Sequence, residues 1–327
     1  MREPHFWRVT DKRSRASAPA TKLFLTPLAM AYTWAGKRRL RRAKPVDVGI
    51  PVICVGNLTM GGAGKTPLTA AVRKHLANKG FRAASLSRGY GGTEEGPLKV
   101  DLAKHTAKDV GDEPMMLAGG GEAWISKDRL AGAKAMVADG VHAIVMDDGH
   151  QNPAIRKTLS FVVIDAGLPF GNRHVFPKGP LREPISFGLS RADAIVLMGD
   201  GEQPPELKAF HKPILRARLA PIGKLVPGRY IAFAGIGRPE RFFDSLQKLP
   251  GVELAEAVPY PDHHIFEQSD LDYLMKLVTE RGARLITTDK DHVRLPASMK
   301  QTVLRASVEA KFDDEAAFNT LLARIAP

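Results

Sequence analysis

The sequence of 327 residues has a single cysteine, Cys54, so it cannot form an internal disulfide. A chain without disulfides is typical of a reducing compartment such as the cytoplasm. Cys54 lies inside an apolar run, which predicts a buried and inert thiol. The chain also lacks internal repeats and low-complexity tracts. Hydrophobic residues make up 44%, enough for a sizeable core in what we expect to be two domains.

Long hydrophobic runs are also missing. The apolar stretch LFLTPLAMAYTWAG at 23–36 is shorter than the roughly 20 residues that span a bilayer, and it contains Thr26 and Pro27. No A-x-A-type cleavage site is present and the basic residues come after the apolar run, which argues against a secretory signal. The stretch is better suited to a helix lying on a membrane surface.

Acidic residues are scarce at the N-terminus. The first 50 residues hold 12 Lys/Arg against three acids, so +9 of the net charge of +13 is found there, with KRRLRR directly after the apolar run. We interpret 1–45 as an amphipathic, membrane-associating arm that places Phe24, Tyr32 and Trp34 at headgroup depth on an anionic membrane surface. A helix packed on the protein's own core is the alternative. Nucleic-acid binding is less favoured, because no aromatic-interleaved basic surface or known nucleic-acid motif follows.

From residue 50 onward, short apolar runs alternate with helical patterns. The strand-like runs are 51–57, 82–87, 142–147, 160–165 and 193–198, and helical patterns cover 67–78 and 129–138. Continuous apolar runs of this length predict an α/β fold with a parallel sheet covered by helices on both faces. The phosphate-loop motif described below makes this predicted sheet P-loop NTPase-like.

A Pro-punctuated stretch at 201–227 precedes a second unit. That unit has strand-like runs at 229–237 and 283–289 and a helical pattern at 270–281. We therefore expect a larger domain at 46–225, which contains the phosphate loop described below, and a smaller α/β domain at 226–327. A cleft between the two, over which the smaller domain closes, is the expected ligand site.

The run VICVGNLTMGGAGKTP at 52–67 predicts a phosphate cradle. The common pattern G-x-x-x-x-G-K-[ST] expects glycine where this chain has Thr59. The remaining glycines can still turn backbone N–H groups inward, since glycine adopts positive φ without steric cost. We expect Lys65 to reach the β/γ-phosphates of ATP and the Thr66 hydroxyl to hold Mg²⁺. The predicted cradle residues are Thr59, Gly61, Gly62, Ala63, Gly64, Lys65 and Thr66.

Charged side chains follow several predicted strands and turns. Asp147 and Asp148 end an apolar run, as a Walker-B carboxylate does, although a turn explains such a pair equally well. Asp112, in GDEP, is either a helix cap or a base. Arg182, in GPLREP, either neutralises a transferring phosphoryl group or forms a surface salt bridge. His263, in YPDHH, could meet a first-domain carboxylate on domain closure.

Eight motifs, in this order, resemble those of the tetraacyldisaccharide 4'-kinase (LpxK) family of lipid A biosynthesis. They are VGNLTMGGAGKTP, SLSRGYGG, GDEP, MDDGHQN, PFGN…GPLREP, AGIGRPERFF, YPDHH and TTDKDHVRL. The family's loop carries Ser or Thr at the position of Thr59. The chain departs from the family at His150 and Asn152, in a block that the family writes DDGFQH, and around GNRHVFPKG.

The resemblance implies an ATP- and Mg²⁺-dependent kinase that phosphorylates the 4'-hydroxyl of a tetraacylated glucosamine disaccharide 1-phosphate to give lipid IVA. It implies a peripheral or monotopic enzyme at the cytoplasmic face of the Gram-negative inner membrane, without an obligate protein partner. The implied site residues are Asp112 as base with His263, Lys65 and Arg182 on the phosphates, Thr66, Asp147, Asp148 and Glu183 at Mg²⁺, and Tyr90 in the cleft.

Two other functions remain open from the sequence. A membrane-associated P-loop ATPase switch would hydrolyse ATP on liposomes without phosphorylating an acceptor. A nucleic-acid-associated P-loop protein would show salt-sensitive duplex binding that is lost when 1–45 is deleted.

Overall fold

The computed structural model describes residues 3–11, 14–323 and 325. A nine-stranded sheet has the order β13-β8-β7-β6-β1-β5-β2-β4-β3. Its strands are β1 (Val52–Asn57), β2 (Ala83–Ser87), β3 (Leu98–Lys99), β4 (Ala123–Ile125), β5 (Ala143–Asp147), β6 (Leu159–Asp165), β7 (Ala194–Met198), β8 (Ile214–Pro221) and β13 (Val308–Phe312). The edge strands β3 and β13 pair antiparallel and the other neighbours pair parallel, which confirms the predicted parallel core.

Helices cover both faces of this sheet because its central strands are apolar on both sides. The helices are α2 (Lys65–Asn78), α3 (Ala107–Val110), α4 (Asp112–Ala118), α5 (Arg129–Ala138), α6 (Ile185–Leu189) and α11 (Glu315–Ala323). Ile53 and Val55 of β1 pack in one cluster with residues of α2 and α11, whereas Val52 packs with residues of α5. The alternation follows from the two-residue period of a strand.

A second sheet, of four parallel strands, follows residues 222–227. Its order is β10-β9-β11-β12. Its elements are β9 (Gly228–Ala234), α7 (Pro239–Gln247), β10 (Val252–Pro259), α8 (Gln268–Arg281), β11 (Arg284–Thr288), α9 (Asp289–His292), α10 (Ala297–Lys300) and β12 (Leu304–Ala306). We call residues 228–306 the second lobe.

The C-terminal segment departs from the predicted division at 226–327. Residues 308–323 return to the first sheet, where β13 pairs with β8. The rings of Phe312 and Phe318 stack at 4.0 Å, and Phe318 also contacts Phe161 of β6. Their apolar side chains complete the core of the first sheet, so this segment belongs with the nine-stranded sheet and not with the second lobe.

The predicted arm contains helix α1 (Pro19–Arg42), which continues through Pro27. Only Ala29 of α1 is buried. Its large apolar side chains are instead exposed: Leu23, Phe24, Leu28, Met30, Tyr32 and Trp34. Among the described residues, none of the helices has the length and apolar character needed to cross a bilayer. The helix therefore does not bury these large apolar side chains in the protein's own core.

Candidate active site

The phosphate loop joins β1 to α2 at the carboxyl edge of the first sheet. Gly61 and Gly64 have φ of 111° and 85°, which glycine adopts without strain. A Cβ on Gly64 would lie 3.0 Å from Cγ of Met198. Helix α2 begins at Lys65, two residues before the predicted start, so its N-terminus faces the space that a phosphate would fill.

The backbone at Thr59 does not have a positive φ, so threonine is compatible with this position of the loop. Buried Asn57 stabilises the loop from beneath, since its Nδ2 donates to the carbonyl oxygen of Gly61 at 3.3 Å and lies 3.4 Å from Oγ1 of Thr59. Arg182 Nε donates to the carbonyl oxygen of Thr59 at 3.1 Å. Asn57 is not among the predicted site residues, although a polar side chain at the end of the apolar run VICVGN is a detectable signal.

Asp147 lies directly beside the start of α2. Thr66 Oγ1 donates to its Oδ2 at 3.0 Å and Thr69 Oγ1 donates to its Oδ1 at 3.2 Å. Burial, together with the charge of Glu113, raises the pKa of Asp147 to about 7. Hydroxyl and carboxylate oxygens are the ligands that Mg²⁺ prefers, usually through one or two carboxylates and the substrate phosphates. Thr66 and Asp147 therefore fit Mg²⁺.

Asp148 lies between two cationic side chains. Nη1 of Arg182 is 2.7 and 2.8 Å from its two oxygens, and Lys65 Nζ is 3.9 Å from Oδ1. Burial raises the pKa of Asp148, but the positive charges of Lys65 and Arg182 lower it by more than burial raises it. The pKa of Asp148 is therefore below its usual value. The structure thus brings Lys65, Asp148 and Arg182 together beside the phosphate loop.

Glu183, predicted at the metal, has other partners in this structure. Arg191 Nη2 lies 2.6 and 2.7 Å from its two oxygens, and Gln151 Nε2 donates to it at 2.8 Å. Both oxygens therefore face protein donors. Gln151 also donates to the carbonyl oxygen of Asn57 at 2.9 Å, so Glu183 supports the end of β1.

Asp112 is the first residue of α4 and is contacted from the second lobe. Arg294 Nη2 and Nε lie 2.6 and 2.9 Å from its Oδ2, and His263 Nδ1 lies 3.2 Å from the same oxygen. Within the part of the chain that the structure describes, no donor contacts Oδ1. Burial raises the pKa of Asp112, but hydrogen bonds from His263 and Arg294 outweigh it and lower the pKa to about 2.

His263 also contacts the side chains around Asp112. Lys290 Nζ is 3.2 Å from its Nε2, and the exposed ring of Tyr90 meets the imidazole edge-on with centroids 6.4 Å apart. Sequence reasoning placed His263 and Tyr90 in the cleft but missed Arg294 and Lys290. Both lie in TTDKDHVRL, a motif to which we gave no role.

A second carboxylate, Asp165 at the end of β6, also joins the lobes. Arg238 and Arg241 of the second lobe both pair with it. Arg238 Nη2 also lies 3.4 Å from the carbonyl oxygen of Gly62 in the phosphate loop. Asp112 at the start of α4 and Asp165 at the end of β6 are therefore both paired with arginines of the second lobe.

We expect Asp165→Asn to lower the free energy of unfolding by about 1–3 kcal/mol, because Arg238 and Arg241 lose a partly buried charged partner. Urea denaturation checks this. Glu253→Gln is the matched control, since its pair with Arg229 is exposed and is expected to contribute at most about 1 kcal/mol. Equal effects of the two substitutions would contradict the role of Asp165.

A match to a protein-family model shows the family to which this chain belongs. The model described as "LpxK: Tetraacyldisaccharide-1-P 4'-kinase" matches residues 21–326. The chain belongs to the LpxK family. The tetraacyldisaccharide 4'-kinase of Hyphomonas neptunium (strain ATCC 15444) is 56% identical over 326 residues, covering 99% of this chain and 98% of that protein. The tetraacyldisaccharide 4'-kinase of Maricaulis maris (strain MCS10) is 47% identical, with coverage of 98% and 96%.

The fold is also that of a solved LpxK. The crystal structure of LpxK from Aquifex aeolicus, described as an "apo" form in complex with ATP, matches with a TM-score of 0.75 and 26% identity. The match covers 93% of this chain and 99% of that chain. The LpxK fold and the kinase family predicted from the motifs are thus confirmed.

Proposed function

We propose that this LpxK-family chain transfers the γ-phosphoryl group of ATP to the 4'-hydroxyl of a tetraacylated glucosamine disaccharide 1-phosphate, giving lipid IVA in lipid A biosynthesis. The observation that carries this proposal is that one sheet edge presents both a phosphate loop and a carboxylate with an open oxygen, Asp112. Phosphoryl transfer requires these two elements in one cleft, because it depends on positioning and on neutralising charge.

On the phosphate side, we assign Lys65 to the β/γ-phosphates and Arg182 to the transferring group. Both cations lie against Asp148 in this structure, so their charges already converge on the mouth of the loop. Thr66 and Asp147, with Asp148 beside them, would hold Mg²⁺. When bound, Mg²⁺ would neutralise charge on the phosphate oxygens.

On the acceptor side, we assign Asp112 to the sugar hydroxyl. Its Oδ2 is occupied by Arg294 and His263, which leaves Oδ1 to accept the hydroxyl hydrogen and to receive the proton as the phosphoryl group transfers. His263 and Arg294 fix the orientation of the carboxylate. Because both come from the second lobe, the acceptor site is complete only when the lobes are closed.

Product analysis tests the whole proposal. The protein is incubated with labelled ATP, Mg²⁺ and the tetraacyl disaccharide 1-phosphate in mixed micelles, and the lipid fraction is examined. We expect one added phosphate at the 4' position. Release of inorganic phosphate with an unmodified lipid would overturn the kinase assignment and support an ATPase switch.

We propose that α1 binds the anionic cytoplasmic face of the Gram-negative inner membrane, where the acyl chains of the acceptor lie. Exposed Leu23, Phe24 and Leu28 occupy its first turns, and KRRLRR occupies its last turns. Apolar insertion and electrostatic attraction act together at such a surface.

We expect the triple substitution Leu23→Ser, Phe24→Ser and Leu28→Ser to weaken binding to phosphatidylglycerol-containing vesicles by roughly 10- to 100-fold, because apolar area is lost. Co-sedimentation measures the effect. The matched control replaces three exposed apolar residues outside the arm, Leu219, Ile222 and Val226, by serine. Equal loss in both triple variants would contradict the role of α1.

A further inference from the structure

The segment that precedes α1 is attached to the loop 170–182. Residues 4–8, here called the strap, contain Trp7, which is only 6% exposed. Trp7 Nε1 donates to the carbonyl oxygen of Pro177 at 3.1 Å, and its ring meets Phe176 edge-on. Asn172 N donates to the carbonyl oxygen of Trp7 at 2.7 Å. The strap therefore fixes both limbs of the loop.

The same loop also contacts α1. The ring of Phe176 meets Tyr32 of α1 with centroids 5.4 Å apart. Lys178 Nζ donates to Oγ1 of Thr26 at 3.0 Å. Phe176 thus lies between Trp7 and Tyr32, so strap and helix meet on one side chain of the loop.

The far end of this loop lies beside the phosphate loop. Met60 N donates to the carbonyl oxygen of Pro180 at 2.7 Å, and Arg182 N donates to that of Leu58 at 2.8 Å. Thr59 and Leu181 form the antiparallel bridge between these two bonds. Residues 176–178 are therefore only two to four positions from Pro180, which is hydrogen-bonded to the phosphate loop.

We propose that Trp7 is a positioning residue that couples the membrane contact of α1 to the phosphate loop, so that binding to an anionic lipid surface tightens binding of MgATP. This proposal rests on the proposed function for two elements, the anionic lipid surface and MgATP, and its readout does not require phosphorylation of a lipid. Residues 4–8 precede the segment 21–326 that matches the family model. The contacts proposed to carry this coupling run from α1 and Trp7 through residues 171–182 to the phosphate loop.

Coupling of this kind is reciprocal. If vesicles tighten nucleotide binding by some factor, MgATP must tighten vesicle binding by the same factor. Coupling free energies in proteins typically correspond to factors of roughly 5–150. We expect a factor of roughly five to ten, at the low end of that range, because the contacts described above lie within a single loop.

The experiment measures the affinity for a fluorescent methylanthraniloyl-ATP with Mg²⁺, with and without vesicles of phosphatidylglycerol and phosphatidylethanolamine. The full chain is used without acceptor. The ratio of the two dissociation constants is the coupling factor. Vesicle co-sedimentation with and without MgATP measures it from the other side. A wild-type factor of one overturns the proposal.

Variants locate the coupling. Trp7→Ala is expected to reduce the factor to about one, and Trp7→Phe, which keeps an aromatic ring beside Phe176, is expected to retain part of it. His5→Ala is the matched control, because His5 is exposed in the same turn and should keep the wild-type factor. A Trp7→Ala variant with the wild-type factor overturns the proposal.

If the Trp7→Ala variant does not fold, the Lys178→Met variant is used to test the coupling. It removes the second contact between α1 and the loop and is also expected to bring the factor close to one, whereas an unchanged factor overturns the proposal. This readout is separate from lipid phosphorylation. A kinase with normal product formation and no coupling refutes the coupling alone, whereas coupling without lipid product refutes the kinase assignment alone.

Discussion

Replacing Asp112 by asparagine is expected to lower the rate of lipid phosphorylation by roughly 10²–10⁴-fold and to leave MgATP binding nearly unchanged. The side chain keeps its size and can still accept hydrogen bonds from Arg294 and His263. It loses the negative charge and the capacity to take a proton. Labelled-ATP turnover at saturating nucleotide, together with a nucleotide-binding measurement, separates the two effects.

The reason lies in the state of this carboxylate. With a pKa of about 2, Asp112 is ionised at all pH values at which the enzyme is expected to work. Its ionised form is stabilised in the folded protein relative to an unfolded value near 3.9. That stabilisation is present above about pH 4 and is lost as the pH falls toward 2. A decline of activity between pH 5 and 7 would therefore come from a group other than Asp112.

Two further variants define how Asp112 acts. His263→Gln should also reduce turnover, and the double variant should lose little more than Asp112→Asn alone, because residues that act as a unit are not additive. Glu253→Gln is the matched control, since its carboxylate pairs with Arg229 in an exposed position and contacts neither Asp112 nor the phosphate loop. Wild-type-like turnover of Asp112→Asn would remove Asp112 from the acceptor site.

The parts of the fold that sequence could predict are those with a local period. Each strand-like run of the first sheet became a strand within about one residue, because an apolar run between helical patterns is stable only in a covered parallel sheet. The return of residues 308–323 to that sheet has no local signature. It depends on Phe318, which stacks on Phe312 and contacts Phe161, a residue in a distant part of the chain.

The candidate site, like the fold, has parts that local sequence predicts and parts that depend on contacts between distant residues. The phosphate loop and the carboxylates after β5 could be predicted because short motifs carry them. The contact between Arg294 and Asp112 joins residues 182 positions apart, and no spacing rule predicts it. Glu183 stays a predicted metal ligand, and its contacts with Arg191 and Gln151 could not be predicted from its motif. Short motifs indicate candidate site residues better than they indicate which side chains contact those residues in the folded protein.

Replacing Lys65 by methionine is expected to lower turnover by at least roughly 10²-fold, the usual cost of removing one preorganised donor from a developing charge. Methionine keeps an unbranched apolar stem in a buried position, so the fold should be preserved. Lys74→Met is the matched control, because Lys74 lies on the same helix with its side chain exposed to solvent. Turnover with labelled ATP and the lipid acceptor measures both, and equal rates for both variants would contradict the assignment of Lys65.

Lys65→Met should also change the requirement for Mg²⁺, and this second effect identifies the cause. Burial and Glu113 raise the pKa of Asp147, while the charge of Lys65 lowers it, so removing Lys65 raises that pKa above about 7. Mg²⁺ must then displace a proton from Asp147, which weakens its apparent affinity at neutral pH. We expect Mg²⁺ titrations at pH 8.5 to recover part of the affinity lost at pH 7. A loss of Mg²⁺ affinity that is the same at both pH values would show that Lys65 acts on the phosphates alone, without supporting the carboxylate that holds the metal.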